Sequence, residues 1–451
     1  MTSLYAELIQ NAKSHPDRVA LVGFDLSLTN QEAADYVAAA ISWMSQRGIK
    51  AGGQVALRLS QEVEWIFLIA LDGLGATASI IRTNAQLSQL ERWGFDFAIL
   101  NQPGGLAGKT KELVLGAGEL KPELSQVYPE GYPWPADQVY RILFTSGTSG
   151  NQKAVPLEKY KFDLRVQFAR KGWLEAHPMM TLFGLDVSMS QLLMAHSILD
   201  LEPFIIPSSA GFASQQLDSW KLRAILGSES QFRQLLAEPR NNRHQPQRIL
   251  LGGSFPSQQI RDELSNAYPD SQLWVLFGST EAGQTFIREL DSANLLLGHP
   301  ASGVEVVLPE GSAYEFTLEI KSPAAATKYL DDPIATEKHF SYGVFRSGDL
   351  VSYEPDAGYF LAGRNDTLIN LGGKKIDPEA IEHFVEKRIP GLSVLLRKKA
   401  NQLEMLFEAP FEMTSEAIMP IIIEALGTAT QVDILQVRAL PRSTTGKKIR
   451  K

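Results

Sequence analysis

Helix-like and strand-like segments alternate within the first eighty or so residues, and this alternation limits the possible folds more than any other feature. Thr29 is followed three residues later by Glu32, and apolar residues then recur at helical spacing up to Gly48, which predicts a capped amphipathic helix. The strand-like segment QVALRL comes next, followed by a helix-like segment from Glu62 to Leu74 and the apolar segment ASII. Such alternation predicts an α/β fold.

The chain length and a cluster of turn formers predict two domains. The 451 residues exceed the size of one ordinary domain. SGD, EPDAG, GRND and LGG crowd the region from Gly343 to Gly373, which is typical of a domain junction. We therefore expect a large N-terminal domain of mixed sheets with flanking helices over residues 1–366. A small, mobile α+β C-terminal domain should occupy residues 367–451.

Composition excludes several classes of function. The formal net charge of -8 and a pI near 5.5 argue against a protein that binds nucleic acid electrostatically. The absence of cysteine excludes disulfides, thiolate metal sites and a cysteine nucleophile. Any thioester made by this chain must therefore use the sulfur of a partner molecule.

The N-terminal segment has no basic stretch followed by an apolar run, so we expect a cytoplasmic protein without a secretory signal. The most apolar stretch, from Trp65 to Ile81, is interrupted by Asp72, Gly73 and Gly75. A membrane span needs about eighteen or more uninterrupted apolar residues. We therefore expect no membrane span and interpret this stretch as a buried core helix.

The segment FTSGTSGNQKAV at residues 144–155 is the sharpest local motif. Gly147 and Gly150 allow tight turns whose N–H groups can meet an anion, and Lys153 adds a positive charge. Thr145, Ser146, Thr148 and Ser149 add hydroxyl donors. The loop suits a polyphosphate, although it lacks Walker A spacing. A Ser/Gly-rich surface turn is the alternative.

TSGTSGNQK resembles the phosphate-binding signature of the adenylate-forming superfamily, which includes acyl-CoA synthetases, peptide-synthetase adenylation domains and luciferases. The sequence departs from that signature at Gln152, where proline is usual, and at Ala154, where glycine is usual. The resemblance implies that ATP phosphates are bound by Thr145, Ser146, Gly147, Thr148, Ser149, Gly150 and Lys153. It extends over essentially the whole chain, but the N-terminal body is shorter than in typical members.

FGSTE at residues 277–281 resembles the family's aromatic-Gly-x-Thr-Glu signature. The resemblance implies that adenine stacks on Phe277 beside Gly278. It also implies that Thr280 contacts phosphate and that Glu281 binds Mg²⁺, a hard cation that prefers carboxylate oxygen. Gly253 lies where the family has a Gly-Gly turn near the adenine. An ordinary strand and turn with an exposed glutamate is the alternative.

Two later motifs follow in the family's order. FRSGDL at 345–350 resembles the motif whose aspartate binds both ribose hydroxyls, here Asp349. GRND at 363–366 resembles the hinge motif, so Arg364 would also reach the ribose and Asp366 would lie near the pivot between domains. Taken singly, SGD and GRND are common turns, so the order of the motifs along the chain is what supports the resemblance.

The last two signatures belong to the predicted C-terminal domain. INLGGKKIDPEAIE resembles the segment whose glycines, Gly372 and Gly373, line a tunnel for the thiol. LPRSTTGKKIRK resembles the family's terminal motif, which makes Lys447 the mobile catalytic lysine. A cation placed there stabilises the charge that develops when a carboxylate attacks a phosphate. A basic solvated tail, which Lys448, Arg450 and Lys451 would also fit, is the alternative.

LDVS at residues 185–188 bears on the substrate. It resembles the Phe-Asp-x-Ser motif of amino-acid adenylation domains and D-alanine:carrier ligases, where the aspartate holds the α-ammonium group. Asp186 would then bind an amino-acid substrate, or it would only cap a helix. LDVS favours a separate carrier protein as acceptor, whereas LGGKKIDPEAIE favours CoA.

We therefore predict an ATP- and Mg²⁺-dependent acid–thiol ligase that forms an acyl-AMP and passes the acyl group to a phosphopantetheine thiol. An aryl- or fatty-acyl-CoA ligase and a degenerate, non-catalytic nucleotide-binding member are the alternatives. A serine hydrolase is disfavoured because LGGSFP breaks the Gly-x-Ser-x-Gly spacing at Pro256, and no metalloenzyme histidine motif occurs.

Overall fold

The computed structural model describes most of the chain, namely residues 3–122, 128–145, 152–175, 178–239, 244–290, 295–309, 315–364, 369–371, 374–376, 378–389, 391–399, 402–409, 413–426, 432–442, 448 and 450. Within these residues the helices are α1 (Leu4–Ser14), α2 (Asn30–Gln46), α3 (Gln61–Leu74), α4 (Asn84–Leu87), α5 (Lys159–Arg170), α6 (Ser188–Leu199), α7 (Ala210–Ser219), α8 (Glu229–Ala237), α9 (Gln258–Ala267), α10 (Pro333–His339), α11 (Pro378–Arg388) and α12 (Ser415–Leu426).

The strands fall into three large sheets and two small ones. In chain order the strands are β1 (Val19–Val22), β2 (Ser27–Thr29), β3 (Gln54–Arg58), β4 (Thr77–Ile80), β5 (Phe97–Leu100), β6 (Lys111–Val114), β7 (Val139–Phe144), β8 (Ala154–Glu158), β9 (Met179–Thr181), β10 (Phe204–Ile205), β11 (Ala224–Gly227), β12 (Arg248–Gly252), β13 (Gln272–Ser279), β14 (Gly283–Glu289), β15 (Leu296–Gly298), β16 (Glu305–Val306), β17 (Phe316–Lys321), β18 (Phe340–Ser341), β19 (Val344–Glu354), β20 (Gly358–Arg364), β21 (Ile369–Leu371), β22 (Lys374–Ile376), β23 (Ser393–Lys399), β24 (Gln402–Glu408) and β25 (Val432–Gln436).

The first two sheets are mainly parallel and enclose helices between them. The first has the order β6-β5-β3-β4-β7-β8, and the second has the order β14-β13-β12-β11-β9-β10-β1-β2. Antiparallel pairs occur only toward their ends, at β7–β8, β13–β14 and β1–β2. One apolar core joins both sheets to helices α2, α3 and α6, as expected for parallel strands that are covered on both faces.

The third sheet is antiparallel, with the order β15-β20-β19-β17-β16 and β18 beside β19. After it come a β21–β22 hairpin and a β23-β24-β25 sheet, and this last sheet packs with α11 and α12. The apolar core of this last unit consists of buried residues between Ile369 and Val432, so all of its buried members follow residue 368. The expected domain boundary at 366/367 lies outside the described residues and stays a prediction.

The predicted α/β architecture of large sheets with flanking helices is confirmed. Helix α2 begins with the predicted cap, because the Thr29 hydroxyl accepts from the Glu32 N–H and the Glu32 carboxylate accepts from the Thr29 N–H at 2.8 Å. Helix α3 is a core helix whose members from Trp65 to Leu71 are fully buried. It ends at Leu74 and is capped by Gly75, whose φ of 79° is left-handed.

Glycine, proline and polar residues crowd the segment from Gly104 to Asp137 and predict that loops dominate it, but this prediction is wrong in one respect. Residues Lys111–Val114 form β6, which pairs in parallel with β5 at the edge of the first sheet. An edge strand has one unpaired side, and here its side chains are exposed or half-buried. The sequence KELV therefore lacks the apolar run that identifies a buried strand.

Candidate active site

A cleft of about 2510 Å³ is lined by the three large sheets and the C-terminal unit. Ordinary ligand pockets enclose about 300–1,000 Å³, so this cleft has room for a nucleotide and a second substrate. All predicted site residues within the described part of the chain line it: Thr145, Lys153, Asp186, Gly253, Phe277, Gly278, Thr280, Glu281, Asp349 and Arg364. The roles of Ser146, Gly147, Thr148, Ser149, Gly150, Asp366, Gly372, Gly373 and Lys447 stay predictions, because these residues lie outside the described residues.

The ends of three parallel strands form one wall of the cleft. Strands β11, β12 and β13 are parallel neighbours, and the residues that follow or end them, Ser228, Gly253 and Thr280, all line the cleft. In α/β sheets, ligands bind outside the carboxyl ends of parallel strands. Gly253 has a φ of +87°, a left-handed conformation that favours glycine where the chain turns away from β12.

Two of the three predicted adenine residues lie on a tight hairpin. Phe277 and Gly278 belong to β13, which pairs with β14 with a register shift between these two residues. A Cβ atom at Gly278 would lie 2.2 Å from the carbonyl oxygen of Gly283. Only glycine therefore fits at position 278. The half-buried Phe277 ring packs edge-on against Phe286 at 6.1 Å and lines the cleft, where it is available for stacking.

The ends of the glycine-rich loop are held together by two hydrogen bonds. Strands β7 and β8 are antiparallel and lead into and out of the loop. The Thr145 N–H donates to the Lys153 carbonyl at 3.0 Å, and the Lys153 N–H donates to the Thr145 hydroxyl at 3.1 Å. This pair holds Thr145 and Lys153, which flank the glycine-rich segment in the sequence, beside each other at the cleft. The Lys153 ammonium lies 4.6 Å from the centre of the Tyr329 ring.

Glu281 is the candidate metal ligand, and its surroundings fit that role. The side chain is largely buried at the cleft, and its Oε1 accepts a hydrogen bond from the Tyr329 hydroxyl at 2.7 Å. Burial, followed by the charge of Glu281, raises the pKa of Tyr329 far above its ordinary value, so this hydroxyl keeps its proton. In the described part of the chain, no cluster of three or more carboxylate or histidine side chains could hold an ion alone. This donor set suits Mg²⁺, which commonly binds one or two carboxylates together with substrate phosphates.

Arg165 fixes the turn that carries Thr280 and Glu281, and sequence reasoning missed it. Its buried guanidinium donates to the backbone carbonyls of Thr280 at 3.0 Å, Glu281 at 2.7 Å and Ala324 at 3.0 Å. Burial lowers the pKa of Arg165 to about 10, so it remains a cation at neutral pH. Arg165 lies on the same face of α5 as Phe162 and Val166, and that helical spacing could have marked it as a buried arginine.

The two predicted ribose residues are partners across a strand pair. Strands β19 and β20 are antiparallel, and Asp349 lies opposite Arg364 in their register. Arg364 Nε is 3.4 Å from Asp349 Oδ1, and the Asp349 N–H donates to the Ser347 hydroxyl at 3.0 Å. The carboxylate and guanidinium therefore face the cleft together, although fourteen residues separate them in sequence. This arrangement can offer an acceptor and a donor to adjacent hydroxyl groups.

Asp186 lies on the cleft wall, but it already has a cationic partner. The Arg82 guanidinium donates to Asp186 Oδ1 at 2.9 Å and to Glu64 Oε2 at 2.7 Å. Burial raises the pKa of Glu64 to about 7, against the opposing effect of Arg82. The alternative that Asp186 caps a helix is wrong, because α6 begins at Ser188 with Val187 as its cap residue and has no side-chain cap. The role of Asp186 as an ammonium anchor stays a prediction.

Two residues near the C-terminus, Lys448 and Arg450, form ion pairs with α11. Lys448 Nζ lies 2.7 Å from a Glu386 carboxylate oxygen, and Arg450 Nη2 lies 2.9 Å from Glu382 Oε2. Lys448 also pairs with Arg442 through an isolated antiparallel bridge. The solvated-tail alternative is therefore wrong for Lys448 and Arg450, whereas Lys447 and Lys451 lie outside the described residues.

The family profile of the AMP-binding enzymes matches residues 8–312. Among curated relatives, the chain is 25% identical to a 2-succinylbenzoate–CoA ligase of Listeria monocytogenes, over 98% of this chain and 97% of the relative. It is 26% identical to the enzyme of the same name from Geobacillus kaustophilus, over 85% of this chain and 82% of the relative.

Solved structures share the fold. o-Succinylbenzoate CoA synthetase (MenE) from Bacillus subtilis, in complex with the acyl-adenylate OSB-AMP, has a TM-score of 0.82 at 18% identity and covers 98% of this chain and 96% of its own. ATP-bound MatB from Rhodopseudomonas palustris has a TM-score of 0.83 at 17% identity, over 99% of this chain and 97% of its own.

The fold is that of an α/β protein whose cleft has room for a nucleotide and a second substrate. The chain belongs to the AMP-binding enzyme family, because the family profile covers well over half of its length. The prediction of an adenylate-forming enzyme is thereby confirmed. In the portion of the chain that the structure describes, no helix is both long and apolar enough to cross a membrane.

Proposed function

We propose that this protein is an acid–CoA ligase that forms an acyl-AMP from ATP and a carboxylic acid and then transfers the acyl group to CoA. The observation that carries the proposal is that one cleft contains the candidate groups for phosphate, metal, adenine and ribose. The curated relatives that match nearly the whole chain are named as CoA ligases, which supports CoA over a carrier protein as acceptor.

In the first half-reaction the chain's own residues bind and orient ATP. Phe277 stacks on adenine, Asp349 and Arg364 hold the ribose, and Lys153 with the glycine-rich loop holds the phosphates. Glu281 would hold Mg²⁺, which would neutralise phosphate charge when bound. Lys447 stabilises the two anions that approach each other as the carboxylate attacks the α-phosphate. Pyrophosphate is the leaving group.

In the second half-reaction the thiol of CoA attacks the acyl-AMP and AMP leaves. We propose that the domain beginning near residue 367 rotates between the two steps, which brings Gly372 and Gly373 to the thiol. The thiol must come from a partner molecule, because the chain contains no cysteine.

For the acid, we propose a compound of the 2-succinylbenzoate type, as in the names of the relatives. The amino-acid alternative is weaker, because an ammonium group would have to compete with Arg82 for Asp186. Breaking this partly buried ion pair costs more than breaking an exposed one, so the competition is unfavourable.

A panel of acids and acceptors tests the proposal. The protein is incubated with ATP, Mg²⁺ and 2-succinylbenzoate, a fatty acid or an amino acid, with either CoA or a phosphopantetheinylated carrier protein, and thioesters are identified by mass spectrometry. We expect the CoA thioester of 2-succinylbenzoate. Thioesters formed only from amino acids, and lost in Asp186→Ala, would support the ammonium-anchor role and contradict our choice of acid.

A further inference from the structure

Tyr329 is held rigidly between the candidate phosphate and metal groups. It is 4% exposed, and its ring packs against Phe340 with centres 5.1 Å apart. The Tyr329 N–H donates to the Thr336 hydroxyl at 3.0 Å, and the next N–H, of Leu330, donates to the Ala154 carbonyl at 2.8 Å. Backbone and ring are therefore both fixed beside the strand that leaves the glycine-rich loop.

Two different parts of this side chain contact two different candidate site residues. The hydroxyl donates a hydrogen bond to Glu281 Oε1 at 2.7 Å, and this bond fixes the orientation of the carboxylate. The ring face lies 4.6 Å from the Lys153 ammonium. A cation over an aromatic face is attracted most strongly when both are shielded from water, and the ammonium keeps donors for a phosphate on its other sides.

We propose that Tyr329 is a positioning residue that holds the Glu281 carboxylate through its hydroxyl and the Lys153 ammonium through its ring. The hydroxyl sets the affinity of the ATP complex for Mg²⁺, whereas the ring sets the affinity for the phosphates themselves. Neither contact is visible in the sequence, because Tyr329 lies 48 positions after Glu281 and still further from Lys153. The inference rests on the proposed function, in which Glu281 binds the ion.

Substitutions that remove the two contacts separately test this division. Tyr329→Phe removes only the hydroxyl, and Tyr329→Leu removes the hydroxyl and the ring. Tyr342→Phe is the matched control, because Tyr342 is fully exposed and does not line the cleft. Binding of α,β-methylene ATP, which cannot be cleaved to an adenylate, is measured by calorimetry with and without Mg²⁺, and thermal melting shows that each variant is folded.

In the wild type and the control we expect Mg²⁺ to tighten binding of the analogue. Tyr329→Phe should reduce this tightening about tenfold or more, the range typical when a partner of a metal ligand is removed. Its metal-free affinity should stay within about twofold of the wild type, because the ring under Lys153 remains. Tyr329→Leu should weaken metal-free binding several-fold as well.

Normal Mg²⁺-dependent tightening in Tyr329→Phe would overturn the inference. An equal loss of binding with and without Mg²⁺ in that variant would also overturn it, because the role would then be purely structural. If the wild type binds the analogue equally well with and without Mg²⁺, the proposed function itself is contradicted, so the two failures are distinguishable. If Tyr329→Leu does not fold, the phenylalanine variant decides.

Discussion

Arg165 shows how one buried side chain can determine the geometry of a ligand-binding turn. Three backbone carbonyls from two chain segments, 280–281 and 324, converge on its guanidinium. An unsatisfied buried carbonyl is costly, so the turn is stable in this conformation only while the arginine is present. Residues that bind nothing themselves can thus be as important to the site as those that line it.

Arg165→Met should therefore damage both the fold and nucleotide binding. We expect a loss of about 3 kcal/mol in the free energy of unfolding, measured in urea, because three carbonyls lose a charged donor. The KM for ATP should rise on the order of tenfold or more, because Thr280 and Glu281 are displaced. Arg170→Met, on the same helix but exposed and paired with Asp200, should change either value little. Equal effects in both variants would contradict this role for Arg165.

The raised pKa of Glu64 predicts that the stability of the fold depends on pH. Its pKa lies at about 7 in the folded protein against an ordinary 4.5, so the folded protein binds this proton more tightly than the unfolded chain. Its contribution to stability therefore falls as pH rises from about 4.5 to about 7. Glu64→Gln cannot titrate, and across that window its stability should rise relative to the wild type by on the order of 3 kcal/mol.

Urea unfolding of both proteins at intervals from pH 4.5 to pH 8 measures this change. Glu424→Gln removes an exposed carboxylate, 60% accessible and paired with Arg388, and is expected to show little pH-dependent difference. A constant gap between Glu64→Gln and wild type at every pH would contradict the raised pKa.

Lys447→Ala should separate the two half-reactions. Because the lysine acts on the charge that develops at the α-phosphate, we expect acyl-AMP formation to fall by at least about a hundredfold. Transfer to CoA from supplied acyl-AMP should be largely retained. Both rates are measured by quenched flow. If neither half-reaction changes, Lys447 is not the catalytic lysine.

At the scale of elements, the register of β19 and β20 is what joins two motifs into one candidate site. Opposed residues in an antiparallel pair lie about 4.5–5.5 Å apart, so a slip by one residue would send Asp349 and Arg364 to opposite faces. Motif resemblance predicted that Asp349 and Arg364 share a ribose role. It could not predict that the two side chains pair directly, because the pairing follows from the strand register, which depends on the bulge between Leu350 and Val351.

Asp349→Ala tests the ribose role. If the carboxylate accepts hydrogen bonds from the ribose hydroxyls, the wild type should prefer ATP over 2′-deoxy-ATP in kcat/KM, by on the order of tenfold for one bond to a charged group. The variant should lose most of that preference while it loses activity with ATP. An unchanged ratio between the two nucleotides would show that Asp349 does not contact the 2′ hydroxyl.

Local signals predicted some elements well and others poorly. The capping residues Thr29 and Glu32 act within one helical turn, so the start of α2 could be predicted from residues that are neighbours in the sequence. Strand β6 was missed because its pairing with β5 is a tertiary contact and its side chains are not buried. Arg165 and Tyr329 were missed for a similar reason, because their partners lie more than forty residues away.

At the scale of the whole molecule, ordered motifs predicted which residues meet in the cleft more successfully than any single motif could. The glycine-rich loop, FGSTE and FRSGDL each have an ordinary turn as an alternative interpretation, yet described residues from all three motifs line one cleft. Sequence alone could not show that Arg82 pairs with Asp186. Arg82 follows β4 of the first sheet and Asp186 lies between β9 of the second sheet and α6, so the two residues meet only after the core between the sheets is formed.

Acid-dependent exchange of labelled pyrophosphate into ATP tests the central claim most directly. The exchange requires reversible formation of an acyl-AMP, and it needs neither CoA nor a carrier protein. We predict rapid exchange that depends on Mg²⁺ and on 2-succinylbenzoate, and that is nearly abolished in Lys447→Ala. Absence of exchange with every acid of the panel, from a folded protein that binds ATP, would contradict the account and indicate a nucleotide-binding protein without adenylation activity.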